Sequence, residues 1–311
     1  MILVCGEALI DIFVGAETHE RIALEGCPGG SPFNVAFGLA RLGQGVEFLT
    51  GLSRDLIGKR LHRFLQAEGV GEAFLRRSAR PSTLSIVDLT SGTPAYAFYG
   101  EGAADRDISE GDIGPLPDAI SALHFGSFST VVEPVGSAFE ALARREAGTR
   151  LIAYDPNIRP TIEPDMAVWR RKVATMARYA HVLKISDEDF HLLYGHDDPA
   201  EQARKWLADG VRLAVMTRGA KGISAWTQDQ AFDMPAPAIK VVDTVGAGDT
   251  FQAALLTGLS ENGHLSIAAL AAIPLQQLKA CLQFAIDAAA ITCSRRGADM
   301  PRRHELHAPI V

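Results

Sequence analysis

Asp249 ends a short glycine-rich string, Asp243-Thr-Val-Gly-Ala-Gly-Asp249-Thr-Phe251, where its carboxylate could take a proton from an attacking hydroxyl. Gly246 and Gly248 carry no Cβ, so the backbone N–H groups of Gly246, Ala247 and Gly248 can converge on one point. Val241 and Val242 read as a strand end leading in, and residues 251–259 read as an apolar helix leading out. A helix starting here adds unpaired N–H groups and the positive end of its dipole. The sum is an anion hole with a base at its rim, which is what phosphoryl transfer to an alcohol requires. The plainer alternative is that Asp249 only caps a helix.

Other stretches offer polar groups to a partner. Gly6-Glu-Ala-Leu-Ile-Asp11 ends a strand-like run in acids, and Asp11 could accept from two neighbouring hydroxyls. Pro28-Gly29-Gly30-Ser-Pro-Phe-Asn34 opens a helix. Its paired glycines let a polyol approach the backbone, and Asn34 offers both a donor and an acceptor. In Tyr154-Asp-Pro-Asn-Ile-Arg159, the Arg159 fork can serve several hydroxyls or phosphate oxygens, or simply pair with Asp155. Lys184-Ile-Ser186-Asp-Glu-Asp189 follows a strand-like run, and Ser186 with its acids also reads as a helix cap. Thr217-Arg-Gly219-Ala-Lys-Gly222 follows another and could be a plain turn. Gly58-Lys59 mimics the end of a phosphate-binding P-loop, but Arg60 stands where Ser or Thr is required.

The elements that must position these groups alternate. Residues 2–5, 46–51, 84–89, 122–125, 151–154, 181–185 and 213–217 read as buried strands. Amphipathic helices are expected over 32–42, 58–68, 134–146 and 199–208. Such alternation predicts an α/β fold with a mostly parallel sheet covered on both faces. Residues 12–27 and 75–99 break the rhythm as extended segments and suit a β-flap over a cleft; residues 93–99 alternate most cleanly. Ligands in open α/β sheets bind beyond the carboxyl ends of the strands, where the candidates above fall.

Composition excludes several classes. The 311 residues are 47% hydrophobic and read as a single domain over 1–311. The net charge of -7, with no basic stripe, argues against nucleic acid as partner. The longest apolar stretch, residues 267–275, is too short to span a membrane, and the first six residues do not read as a signal peptide. Four cysteines without a Cys-x-x-Cys pair fit reduced thiols in a cytoplasmic protein. The nine histidines show no zinc spacing, His191 and His196 included.

Taken together, Gly6…Asp11, Gly29-Gly30…Asn34, Gly51…Asp55…Gly58 and the Asp249 string resemble the PfkB (ribokinase-like) family of sugar and nucleoside kinases over essentially the whole chain. The resemblance implies a ribokinase-like three-layer α/β/α sandwich with a small β lid drawn from parts of 12–27 and 75–105. It implies ATP and magnesium as cofactors, Asp11, Gly29, Gly30 and Asn34 as sugar ligands, and Asp249 as the base. Gly246, Ala247 and Gly248 would form the anion hole. Lys184, Ser186, Thr217, Gly219 and Gly222 would serve the nucleotide, and residues 284–297 would wall the adenine, with Ile286 and Asp287 near the start of that helix. Asp189 stands where the family often has Glu and would reach magnesium through water. Potassium beside Asp243 and Val245, and a homodimer paired through its lids, are further implications.

Three strings are similar to those of bacterial fructokinases: Asp155-Pro-Asn-Ile-Arg159, Phe98-Tyr99-Gly-Glu-Gly-Ala-Ala-Asp105-Arg106 and His124-Phe-Gly-Ser-Phe128. They imply phosphorylation of fructose to fructose 6-phosphate, with Phe98, Arg106 and Arg159 at the sugar. Relatives acting on 2-keto-3-deoxygluconate carry a similar Asp-x-Asn-x-Arg, and Arg106 would then meet the substrate carboxylate. A dehydrogenase is opposed by Gly6-Glu-Ala where Gly-x-Gly-x-x-Gly should follow the first strand. A sugar sensor that had lost catalysis would not need Asp249 and both flanking glycines.

Overall fold

The computed structural model describes residues 1–88 and 95–306. In chain order the strands are β1 (Ile2–Cys5), β2 (Leu9–Glu17), β3 (Ile22–Gly29), β4 (Val46–Ser53), β5 (Leu75–Ser78), β6 (Thr83–Asp88), β7 (Ala95–Tyr99), β8 (Ala122–Gly126), β9 (Leu151–Asp155), β10 (Val182–Ser186), β11 (Leu213–Thr217), β12 (Ile223–Trp226) and β13 (Ala231–Met234). The helices are α1 (Ser31–Arg41), α2 (Leu56–Glu68), α3 (Val135–Glu146), α4 (Met166–Ala177), α5 (Asp187–Tyr194), α6 (Pro199–Asp209), α7 (Ala247–Glu261), α8 (Ile267–Ala271) and α9 (Leu275–Cys293).

The apolar runs become interior strands because both sheet faces are covered. A nine-stranded sheet runs β13-β12-β11-β10-β9-β8-β1-β4-β5. It is parallel from β11 to β5, and β12 and β13 are antiparallel. Side chains on β1 alternate between two cores. Ile2 and Val4 pack with α1, α2, α7, α8 and α9, while Leu3 and Cys5 pack with α3, α4, α5 and α6. The three-layer α/β/α sandwich is therefore present.

A separate four-stranded sheet, β3-β2-β6-β7, forms the lid. Its outer residues Ile22, Leu24 and Tyr99 are exposed. The expected strand over 84–89 lies here, as β6, and not in the central sheet, because β6 pairs in parallel with β2. Leu89, Thr93 and Pro94 lie outside the described residues.

Other expectations need correcting. Val241 and Val242 form no strand. They are exposed in the connection between β13 and α7, where Val242 N donates to Cys293 O at 2.8 Å. Two apolar β-branched residues cannot form a strand without a neighbouring ladder. The last long helix begins at Leu275, so Ile286 and Asp287 lie well inside it. The antiparallel β12–β13 hairpin was not anticipated.

The Gly51…Asp55…Gly58 motif is a helix start. Asp55 Oδ1 accepts from Gly58 N at 2.7 Å, capping α2. A Cβ at Gly58 would lie 2.1 Å from Ser53 O, so glycine is required for close approach. Among the described residues, no helix is long and apolar enough to cross a membrane.

Candidate active site

The parallel strands β9, β10 and β11 end on the same side as the N-termini of α1 and α7, and the lid strand β2 adds Asp11. Gly246 is the N-cap of α7 at φ 76, a left-handed conformation suited to glycine. Asp249 is consequently the third residue of the helix and not its cap. It is only 7% exposed. Ser31 Oγ donates to Asp249 Oδ1 at 2.7 Å, and Asn34 Nδ2 donates to Oδ2 at 2.8 Å. Both donors come from α1, whose start is opened by Gly30 at φ 104. Burial pushes the Asp249 carboxyl up, while Asn34, Ser31 and the Lys184 charge pull it back and Asp155 raises it again.

The free amides differ from the expected set. Ala247 N donates to Thr244 O at 3.2 Å, so it is engaged in the turn. Among the described residues the N–H groups of Gly246, Gly248 and Asp249 have no acceptor. They are available to an anion at the mouth of α7. Asp243 braces this turn from below. Its Oδ1 accepts from Val245 N at 3.1 Å and its Oδ2 from Gly297 N at 2.8 Å.

Asp11 lies over Gly29, where an added Cβ would meet Asp11 Oδ2 at 2.1 Å. Burial raises the Asp11 carboxyl to about 6, opposed by the Ser85 hydroxyl and the Arg159 guanidinium, with Asp249 adding to the rise. Asn34 Oδ1 is buried without a partner, one acceptor still available beside Asp249. Gly29→Ala is expected to displace the Asp11 carboxylate and raise the KM of the acceptor at least about tenfold, the value of one hydrogen bond to a charged group. Its kcat should stay near wild type, since Asp249 is untouched. Steady-state kinetics check this, and an unchanged KM would remove Asp11 from the acceptor site.

Phe98 and Phe128 pack edge to face with ring centres 6.0 Å apart, and the Arg106 guanidinium lies 5.1 Å above Phe128. Arg106 also lowers the neighbouring Asp105, which burial lifts to about 6. The Arg106 Nε is buried without a hydrogen-bond partner. Arg159 Nη1 donates to Ile158 O at 2.9 Å, and its charge reaches both Asp11 and Asp189.

Ser186 caps α5, its Oγ accepting from Asp189 N at 3.0 Å. Asp189 Oδ1 accepts from Ile158 N at 3.1 Å, which ties α5 to the loop after β9. Burial and the Asp155 charge lift Asp189 to about 6 despite Arg159 and Lys184. Lys184 Nζ is 2.6 Å from Asp155 Oδ2. Thr217 ends β11, and the turn that follows uses Gly219 at φ 52 and Gly222 at φ 85. A Cβ at Gly222 would lie 2.0 Å from Met234 O, so the turn folds tightly against β13.

Among the described residues no three His, Cys, Asp or Glu side chains converge as a metal site. A cation here would be held by a single carboxylate such as Asp189 together with substrate phosphates and water. Magnesium is bound in that manner, so the donor set fits it. All four cysteines are free thiols; Cys5 and Cys281 are buried, Cys27 and Cys293 partly so.

Sequence reasoning missed Ser31, the Lys184–Asp155 pair and Glu7. The signal for Glu7 was a lone acid inside the apolar stretch Gly6-Glu-Ala-Leu. It is 1% exposed, and its Oε2 has no partner. Burial raises Glu7 to about 7, against Ser127 and Ser129 hydroxyls that lower it and Asp105 that adds to the rise. The folded state therefore prefers the protonated form. That contribution is complete below the ordinary 4.5 and is lost as pH climbs through about 7. Glu7→Gln, which mimics the protonated acid, is expected to raise Tm by a few degrees at pH 8 and hardly at pH 5. Thermal melts at both pH values check it, and equal shifts would contradict the assignment.

Comparison with known proteins agrees with this geometry. The profile of the pfkB family carbohydrate kinases matches residues 1–304. A fructokinase of Rhizobium leguminosarum bv. trifolii is 40% identical over 279 residues, covering 90% of this chain and 86% of the relative. The crystal structure of a fructokinase with bound ATP from Xylella fastidiosa superposes with a TM-score of 0.88 at 26% identity, covering 98% of this chain and 96% of that one. An aminoimidazole riboside kinase from Salmonella enterica, complexed with aminoimidazole riboside and an ATP analogue, gives a TM-score of 0.82 at 26% identity, with 98% of each chain covered.

Proposed function

The chain belongs to the pfkB family of carbohydrate kinases, and we propose that it transfers the γ-phosphoryl group of ATP to the primary O6 hydroxyl of D-fructose. The observation that carries this reading is Asp249, fixed by Ser31 and Asn34 beside the unpaired amides of α7. The base and the anion hole share one helix turn, so an oxygen activated by one lies next to a phosphoryl group held by the other.

Asp11, over Gly29, would bind two adjacent sugar hydroxyls, and the free Oδ1 of Asn34 would accept from a third. Phe98 would close the apolar side of the site. A neutral sugar suits Arg106, whose guanidinium lies over the Phe128 ring and influences the buried Asp105. The name of the Rhizobium relative points the same way. The Thr217–Gly222 turn and Lys184 would lie along the phosphates of the nucleotide. Bound magnesium, held by Asp189 through water, would neutralise charge on those phosphates. Asp249 accepts the O6 proton as O6 attacks, and the Gly246, Gly248 and Asp249 amides receive the phosphoryl oxygens.

The test is ATP consumption with magnesium across fructose, 2-keto-3-deoxygluconate, ribose, tagatose, glucose, adenosine and aminoimidazole riboside. Turnover confined to fructose supports the proposal. Preference for the acid sugar would transfer Arg106 to its carboxylate. Preference for a riboside would overturn the fructose reading, and silence with measurable sugar binding would identify a sensor.

A further inference from the structure

Arg41 is the last residue of α1 and is largely enclosed, its side chain 13% exposed. Its guanidinium grips two different segments with two edges. Nε and Nη2 donate to Glu68 Oε2 and Oε1 at 3.0 and 2.7 Å, a two-point contact with the end of α2. Nη1 donates to the carbonyl oxygen of Met300 at 2.8 Å and to Asp299 Oδ1 at 3.1 Å, both in the loop after α9. The guanidinium carbon also lies 5.0 Å from the centre of the Phe37 ring. A lysine has no planar fork and could not hold both segments in this way.

An ion pair that served stability alone would need no partner beyond Glu68. The second edge matters because of what flanks it. Ala298, two residues before Met300, lies against the Gly246 turn, its Cβ 2.6 Å from where a Gly246 Cβ would stand. Gly297 N donates to Asp243 Oδ2 at 2.8 Å and so joins the brace beneath that turn. Met300 is 1% exposed and fills the space over Gly38 of α1, where an added Cβ would also meet Ala253 of α7 at 3.1 Å. The other end of α1 carries Ser31 and Asn34, which fix the Asp249 carboxylate. One guanidinium thus ties the helix that holds Asp249 to the loop that buttresses the free amides of α7.

We infer that Arg41 is a positioning residue for phosphoryl transfer, setting the spacing between the Asp249 carboxylate and the anion hole at the mouth of α7. The inference rests on the phosphoryl-transfer reading above and deepens it. Arg41 itself touches no substrate. Without its fork, residues 297–300 are free to shift against α1, and the Gly246 turn shifts with them. A displacement of about 1 Å between reacting groups can cost about a hundredfold in rate. Sugar and nucleotide are gripped by other residues, so the binding of each alone should be spared.

The test compares three variants. In Arg41→Met with Glu68→Met both charges go together, because exchanging a buried ion pair for apolar side chains is often neutral for stability. Arg41→Gln is the companion, since Glu68 keeps Arg302 at 3.2 Å when Arg41 is changed alone. Both are expected to lose about ten- to a hundredfold in kcat, with the KM values for fructose and ATP little changed. Glu68→Gln weakens the α2 half of the clamp and leaves the bonds to Met300 and Asp299. It should lower Tm and leave kcat at the wild-type value. Calorimetry supplies a readout that lost stability alone would not move. Magnesium ADP with aluminium fluoride, titrated in the presence of fructose, imitates the transferring phosphoryl group. Its affinity should fall about tenfold or more in both Arg41 variants, since such mimics report the interactions that accelerate the step. ADP and fructose should each bind as they do to the wild type. Normal kcat in either folded Arg41 variant would overturn the inference, as would an equal kcat loss in Glu68→Gln. Were the phosphoryl-transfer reading itself wrong, the wild-type chain would already be silent in the sugar panel, so the two failures are distinguishable.

Discussion

Asp249→Asn is expected to reduce kcat by about three orders of magnitude, within the range for a lost general base, while sugar affinity changes by no more than a few-fold. The amide keeps the shape of the carboxylate but cannot accept the hydroxyl proton. With its oxygen turned to the Nδ2 donor of Asn34, its own nitrogen faces Ser31 Oγ, a hydroxyl that can accept as well as donate. The sugar pocket should therefore survive. Because burial raises the Asp249 carboxyl, removing the charge should leave Tm equal or higher at neutral pH. Turnover, calorimetric binding of fructose and thermal melts on one preparation separate these effects. Wild-type turnover in the purified variant would disprove the base assignment. A lost fold would show that Asp249 serves mainly as a hydrogen-bond hub for α1 and α7.

Gly246→Ala is expected to lower kcat about a hundredfold or more, comparable to removing an oxyanion-hole donor, and to lower stability as well. Gly246 holds φ 76 at the N-cap of α7. An alanine there pays for the left-handed conformation, about 1–2 kcal/mol. The Cβ would also lie 2.6 Å from Ala298 Cβ and 2.9 Å from Ala298 Cα. The second of these contacts is backbone, which cannot swing aside like a long side chain. Relief requires the turn or the loop after α9 to move, and the Asp243 bonds to Val245 N and Gly297 N link the two. The amides at the mouth of α7 would then no longer meet at one point. Kinetics with ATP and sugar varied separately check this. A variant with normal kcat would show that the hole tolerates displacement and contributes little.

The fold class was legible in the residues alone. Short apolar runs such as those of β1 and β11 have no solvated face, so they had to become interior parallel strands. Glycines at 246 and 248 before Asp249 allow an anion hole or a simple helix cap, and the resemblance of the whole Asp243–Phe251 string favoured the hole. Family resemblance supplied the expectation of a lid and of sugar-facing residues, and the profile match over residues 1–304 shows the family.

Pairings between distant segments emerged only from the folded chain. Ser31 and Asn34 reach Asp249 across 218 and 215 residues of sequence. Lys184 reaches Asp155 across 29 residues. Local periodicity carries no information about such contacts, because they depend on which strand ends are neighbours in the sheet. The same limit explains why β6 read as a core strand. Its apolar pattern is that of a buried strand, and only its register with β2 places it in the lid. It also explains Val241 and Val242, whose β-branched side chains favour a strand that no neighbour is present to form. Ala247 was expected among the free amides, where Asp249 stands instead, for a related reason. Whether Ala247 N points into the hole or back to Thr244 O is set by the left-handed turn at Gly246, a backbone angle that glycine permits but does not dictate.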